Sequence, residues 1–353
     1  MDARQTLTNF IPLIDQKLKE FWDQEIKENF GFNQKQKDLV KKILLHSREH
    51  NLRSAKRLRA SFVYYAYLLG SSSVDERIWA PAISVELVHT ALLMHDDVMD
   101  QDDLRRGLPT THRFFENSDP HYGESMAINV GDILQAFGYQ QLLNSRFPPK
   151  FVILATNKLL DGITLTGYGQ SFDVSLQKFS TWDEDDVIKV HQAKTAIYTY
   201  ENPLHIGAYL AGLDKSVLDI LTQYSLDGGV AFQLQDDVLG VFGDTEKTGK
   251  SADSDLLQGK CTLLVLKTLK DGTPPQISAL KNIWGKRQAI QIDIDQAKKA
   301  IIDSGSLDYS RKISKEYAAK AVATAGKLRN LKLNSQAIDF IEGIAEYMVN
   351  RDL

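Results

Sequence analysis

The chain has 353 residues, 43% hydrophobic and 25% charged, enough for one large core or two ordinary ones. A formal net charge of −4 leaves no basic excess for tracking a nucleic-acid backbone, and the single cysteine, Cys261, excludes an internal disulfide or a cysteine-rich zinc site. Nine prolines, well under the usual ~5% share, suit long uninterrupted helices. From the first residues onward, helical periodicity dominates. Phe10 to Glu28 predicts an amphipathic helix, and Gln34 to Glu49 a second that ends in basic residues. This start is mixed in charge and lacks a secretory pattern, and no stretch reaches the ~20 apolar residues of a membrane span, so a reducing cytoplasm is the expected location. Trp79 to Met99 predicts a long apolar helix running into acidic residues, and Ser125 to Asn144 another, with Pro148 and Pro149 just beyond it. Phe151 to Asp173 is helical but carries Gly162, Gly167 and Gly169. Thr181 with Glu184 reads as a capping box opening a helix toward Tyr200. Val217 to Val241 is long and mostly apolar, and the turn from Asp271 to Pro275 is the best internal boundary. Helices are expected at Ile292–Ser304 and Asp308–Leu331, with a last one to Arg351. Loops are expected between Asn117 and Glu124 and between Gly243 and Lys260. The expectation is an all-α chain forming one domain over residues 1–353, with the helices of 1–50 peripheral and those of 276–353 packed on the bundle.

Two acidic clusters carry the chemistry. Residues 95–112 read HDDVMDQDDLRRGLPTTH. Asp96 and Asp100 are i,i+4, so their carboxylates share a helix face at the end of an apolar run. A bare DDxxD is most often a solvated helix end. Here His89 falls on the same face, and Arg105 and Arg106 follow immediately, with Gly107 and Pro109 marking a turn that sets their direction. Like charges one turn apart favour a hard cation between them, and magnesium uses one or two carboxylates together with substrate phosphates. Paired guanidiniums clamp diphosphates bidentately. The second cluster, FQLQDDVLGVFGD at 232–244, again ends an apolar helix with two carboxylates, Asp236 and Asp237, preceded by Gln233. Lys250 and Lys260 follow in a polar segment. SAKRLRA at 54–60 adds Lys56, Arg57 and Arg59, and Lys194 with Thr195 interrupts an otherwise apolar helix. Two anionic helix ends and four separated cationic places fit a diphosphate held by magnesium and basic side chains above an apolar tunnel.

On these residues the chain resembles the trans-isoprenyl diphosphate synthases, the polyprenyl synthetase family, from about Lys56 to Arg351. HDDVMDQDDLRRGLPTTH and FQLQDDVLGVFGD are similar to its two aspartate-rich motifs, GQSFD at 169–173 to its GQxxD segment, and AINVGDIL at 127–134 to its AxLxGDxL helix. The resemblance implies an isoprenoid-synthase helical bundle around an apolar cavity, a homodimer, and Mg2+, three ions per active site. It implies metal ligands at Asp96, Asp100 and Asp236, with Asp97 and Asp237 beside them. Isopentenyl diphosphate would be held by Lys56, Arg59, His89 and Arg106. The allylic diphosphate would be held by Arg105, Lys194, Thr195, Gln233 and Lys250, with Lys260 at the same mouth. The implied reaction is ionisation, condensation and elimination, with the released diphosphate accepting the proton. The family's GGKRxRP is SAKRLRA here, and the second motif ends in Gly240 in place of a third aspartate. The position that often carries an aromatic tunnel stop is Ala91, beside Thr90 and Leu92, so a twenty-carbon product is expected over fifteen. The alternatives are a farnesyl or longer-chain synthase, a class I terpene cyclase, and a non-catalytic synthase subunit.

Overall fold

The protein is described by a computed structural model that covers residues 2–26, 31–176, 178–179, 181–243, 253–286 and 288–350. Its elements in order are α1 (Ala3–Glu25), α2 (Gln34–Leu52), α3 (Leu58–Leu69), α4 (Trp79–Asp100), a hairpin of β1 (Leu104–Arg105) and β2 (Leu108–Pro109), α5 (Thr111–Phe115), α6 (Pro120–Leu143) and α7 (Pro149–Leu176). There follow α8 (Glu184–His191), a π-helix (Gln192–Glu201), α9 (Asn202–Leu210), α10 (Lys215–Phe242), α11 (Ser254–Gln258), α12 (Leu263–Asp271), α13 (Pro274–Ile283), α14 (Gln291–Asp303), α15 (Ser306–Ala325) and α16 (Ser335–Val349). The only strands among the described residues are the four residues of the hairpin. The all-α expectation therefore holds.

Helix α4 is the axis of the bundle, buried on two faces. Leu87, Ala91 and Met94 belong to a core shared with α1, α3, α6, α10 and α16. Val85 and Val88 belong to a second core with Leu142 of α6, Val152, Ala155 and Leu159 of α7, Tyr198 of the π-helix and Ile206 and Leu210 of α9, against which Leu92 is half-buried. By length and composition the Glu76–Asp100 segment would suffice to cross a membrane, but 72% of its most apolar stretch is buried inside the protein.

Three expectations are corrected. The first helix is not peripheral: Leu7, Phe10, Ile14, Leu18 and Trp22 recur at helical spacing and are buried in the first core, and Trp22 Nε1 donates to Asn51 Oδ1 at 2.9 Å. The turn from Asp271 to Pro275 does separate α12 from α13, but it bounds no unit: Leu264 and Val265 before it share a core with Leu280, Ile283 and Ile294 after it, and Pro274 and Pro275 open α13, where prolines lack only N–H groups that the helix leaves unpaired anyway. The capping box of α8 is Asp183 with Asp186, each side chain accepting from the other's backbone N–H, at 3.1 and 2.9 Å. Glu184 instead accepts from the Tyr309 hydroxyl.

Buried histidines make the fold acid-sensitive. Burial, reinforced by Arg53, lowers His46 to about 4, and burial with Lys158 lowers His205 to about 4. Between pH 6.5 and 4 the unfolded chain therefore binds protons that the folded chain does not, so this stability is complete above pH 6.5 and is lost as pH falls below it. His46 alone should cost about 2 kcal/mol between pH 8 and pH 5. Tm should hold from pH 8 to about 6.5 and fall below that, and a Tm flat down to pH 5 would show that these imidazoles are solvated.

Candidate active site

The two acidic helix ends are joined through the π-helix. Pro203, in the first turn of α9, has no N–H to donate to Thr199 four residues back, and the Asn202 N–H instead reaches Ile197, five back. Such i→i+5 turns are rare and concentrate at functional sites. Gly169 lets α7 press directly on this segment, since a Cβ there would lie 2.5 Å from the backbone nitrogen of Lys194. The approach brings Lys194 Nζ to 2.7 Å from Asp173 and 3.5 Å from Asp96. The next residue, Thr195, donates to Gln233 Oε1 at 2.6 Å. Adjacent residues of one helix thus touch the first acidic motif on α4 and the second on α10. A further link is Lys260, 3.1 Å from Asp100.

The carboxylates divide by partner. Asp97 is fully buried and ion-paired with Arg105, which also lies 3.8 Å from Asp96 and 3.3 Å from Asp102. Asp237 is buried, 3.2 Å from His191, and accepts from Gln233 Nε2 at 2.9 Å. Asp96 and Asp173 flank Lys194, Asp100 pairs with Lys260, and Asp236 is half-buried on α10. Burial raises the Asp100 carboxyl, opposed by Lys260. Burial also acts to raise Asp173, but Lys194 and Lys260 overcome it and hold that carboxyl below its ordinary value.

A second, cationic floor lies beside this mouth. The hairpin turns on Arg106 and Gly107, both with positive φ (56° and 77°), which sends the two arginines to opposite sides. Arg53 clamps the hairpin from behind, donating to the carbonyls of Arg105 at 3.0 Å and Pro109 at 2.9 Å, and Arg106 donates back to the Arg53 carbonyl at 3.3 Å. Arg59 stacks over Tyr198, 5.0 Å from its ring centre, and donates to Thr199 at 2.6 Å. Burial and then the charges of Arg59, Arg106, Arg105 and Arg57 hold His89 well below its ordinary value, and burial and then Arg57 lower Arg106 to about 10. Burial likewise lowers Arg59, while Asp236 is among the groups favouring its charged form. So many cations crowded together call for an anion. Arg57 itself is not part of the floor: with φ at 50° it turns inward to Asp15 at 2.8 Å and Glu86 at 3.1 Å.

Lys56 is exposed on the same loop, and Lys250 lies outside the described residues. Ala91, expected at the tunnel floor, faces the first core with no exposure, and Leu92 is the neighbour that packs on the second core below Asp96. The donor set at the mouth is oxygen throughout, suited to Mg2+ or Ca2+. Among the described residues no three acidic, histidine or cysteine side chains converge as a ready-made cage. Carboxylates at two helix ends, linked through Lys194 to Asp96 and Thr195 to Gln233, fit a cation that also takes substrate phosphate oxygens and water.

A lysine-bridged acidic opening and a cluster of arginines beside an apolar interior suit a substrate with an anionic head and an apolar tail. The polyprenyl synthetase family pattern matches residues 41–301. Geranylgeranyl diphosphate synthase of Saccharolobus solfataricus is 32% identical over 284 residues, 78% of this chain and 80% of that one. Geranylfarnesyl diphosphate synthase of Aeropyrum pernix is 32% identical over 302 residues, 84% of this chain and 90% of that one. Among solved structures, geranylgeranyl pyrophosphate synthase from Corynebacterium glutamicum, complexed with isoprenyl diphosphate and magnesium, superposes with a TM-score of 0.89 at 28% identity, covering 98% of this chain and 99% of that one. The chain belongs to the polyprenyl synthetase family: it is a prenyltransferase of the trans-isoprenyl diphosphate synthase type.

Proposed function

We propose that this enzyme condenses isopentenyl diphosphate with an allylic diphosphate in the cytoplasm to give an all-trans prenyl diphosphate, chiefly the twenty-carbon geranylgeranyl compound. What supports the reading is a pair of charged clusters, each suited to an anion: Asp96 and Asp100 with Lys194 and Lys260 in one, Arg59, His89 and Arg106 in the other. A class I cyclase handles one diphosphate and has no use for the second.

Asp96, Asp100 and Asp236 would hold Mg2+, three ions per site in this reading, which when bound neutralises the diphosphate as a leaving group. Lys194 and Lys260 add fixed positive charge where negative charge grows as the allylic C–O bond breaks and its electron pair leaves with pyrophosphate. Arg105 is held by Asp97 beside this diphosphate, while Thr195 and Gln233 fix the wall. Arg59, His89, Arg106 and Lys56 hold isopentenyl diphosphate so that its double bond meets the allylic carbon. A new C–C bond forms, and one proton passes to the released pyrophosphate. The apolar wall of the second core excludes water from the cation. Labelled isopentenyl diphosphate supplied with ten-, fifteen- and five-carbon allylic primers and Mg2+ should give labelled prenyl chains, and a hydrocarbon formed from allylic substrate alone would support a cyclase instead.

Chain length should answer to Leu92. Leu92→Phe should shorten the product by one or two five-carbon units on chromatography, at little cost in Tm. Ala91→Phe should overpack the first core, lowering stability by about 1–3 kcal/mol without a clean change in length. The reverse pattern would put Ala91 back on the tunnel floor.

The partner is a second copy of the chain. Ile128 of α6 and Ile153, Leu160, Leu165, Tyr168 and Phe172 of α7 are 39–58% exposed, a long apolar face that two copies would bury. Sedimentation should give about twice 39.7 kDa, and a monomer at micromolar concentration would remove the homodimer from this account.

A further inference from the structure

The second acidic motif ends in Gly240 where the family resemblance leads one to expect a third aspartate, and the structure shows what fills that place. A Cβ built on Gly240 would collide with a carboxylate oxygen of Asp255 and approach its Cγ to 3.1 Å. Asp255 arrives from α11, after the chain has left α10 and returned. The return is pinned at three points: the Asp253 N–H donates to the Gly240 carbonyl at 3.2 Å, the Gly285 N–H to the Leu256 carbonyl at 2.9 Å, and Trp284 Nε1 to the Lys260 carbonyl at 3.1 Å. While one oxygen of Asp255 lies against Gly240, the other is 3.4 Å from Lys260 Nζ, and the Lys260 N–H donates to the Asp255 carbonyl at 2.9 Å. The Lys260 ammonium reaches on to Asp100 at 3.1 Å. A second strut runs beside it, Gln258 Nε2 donating to Asp102 Oδ1 at 2.8 Å.

We propose that Asp255, seated in the space that Gly240 leaves, does the work of the absent third aspartate, and that this work is to hold Lys260 across the mouth toward Asp100 and the allylic diphosphate. The glycine is then not a lost ligand but the seat of a carboxylate supplied from another helix. An ammonium at the end of four rotatable bonds loses much side-chain entropy when it is fixed. Two carboxylates, one on each side, fix it before substrate arrives. Asp255 is a positioning residue in this account, acting through Lys260.

The inference rests on the prenyltransferase reading, and a charge-relocation series separates the two. Four variants are compared with wild type: Asp255→Asn, Asp255→Gly, Gly240→Asp and the double variant Gly240→Asp/Asp255→Gly. The Asp255→Asn variant keeps shape and loses charge, and should raise KM for the allylic diphosphate about tenfold while leaving KM for isopentenyl diphosphate within twofold. Gly240→Asp, which restores the motif as written, should be as poor, because two carboxylates then contest one space. The double variant, with the acid moved to α10, should recover to within about threefold of wild type; non-additivity of this kind is what coupled neighbours produce. A structural role alone would move Tm and both KM values together and would not be rescued. A wild-type allylic KM in Asp255→Asn, or a folded double variant no better than the worse single one, overturns the proposal. If the double variant does not fold, Asp255→Asn decides. Wild-type enzyme that makes no prenyl product would instead sink the functional reading.

Discussion

Asp96→Asn and Asp100→Asn should each lower kcat by about a thousandfold or more while leaving the fold intact. A loss of that size is about 4 kcal/mol of transition-state stabilisation, the scale on which fixed charge at a developing anion acts in a water-poor site. The two residues are one helical turn apart, and each faces a different lysine: Asp96 lies 3.5 Å from Lys194, and Asp100 lies 3.1 Å from Lys260. Fold stability should survive because each lysine keeps another carboxylate. Lys194 remains 2.7 Å from Asp173, and Lys260 remains 3.4 Å from Asp255. Asp100→Asn should even raise Tm slightly, since its buried carboxyl is already pushed toward the neutral form. Asp97→Asn should behave differently. That carboxylate is fully buried against Arg105, and removing its charge leaves the buried guanidinium only its longer contacts to Asp102 and Asp96, so the expected cost is in stability, about 1–3 kcal/mol. Circular dichroism melts beside steady-state kinetics would distinguish the three. A kcat for Asp96→Asn within tenfold of wild type would remove it from the metal-holding set.

Arg59→Gln should raise KM for isopentenyl diphosphate about thirty- to a hundredfold, with KM for the allylic substrate nearly unchanged. A charge-assisted hydrogen bond to a diphosphate is worth about 2–3 kcal/mol, and each 1.4 kcal/mol is a decade. The same substitution should leave Tm unchanged or raise it. In the free enzyme Arg59 is half-buried beside Arg106 and His89, and desolvation with like charge makes that cluster costly until an anion occupies it. Binding and stability moving in opposite directions mark a residue kept for its ligand rather than for the fold. A drop in Tm with both KM values unchanged would assign Arg59 to the bundle instead.

Much of this arrangement is legible in the amino-acid sequence, because its carriers are local. The helical period of α4 and α10 and the spacing of Asp96, Asp100, Gln233 and Asp236 fix which faces turn to the opening. The less legible features depend on partners distant in sequence. Nothing near Arg57 shows that it would take a left-handed conformation and turn to Asp15 and Glu86, while Arg59, two residues on, faces the site. The π-helix leaves one trace, Pro203, which is easily read as a helix start. The role of α1 in the core follows from its apolar stripe at Leu7, Phe10, Ile14 and Leu18, but a terminal position argues the other way until the packing is seen. Asp255 carries no signal of its own; only the close approach to Gly240 reveals it.

Calorimetric titration of inorganic pyrophosphate into enzyme with Mg2+ probes whether Asp96 and Asp236 grip one ligand from two helices. Wild type should bind only with the metal present. Asp96→Asn and Asp236→Asn should each weaken binding at least tenfold, and the double variant should be little worse than either single one. If Asp236→Asn bound pyrophosphate as wild type does, the two helix ends would serve different sites and the shared mouth would be wrong.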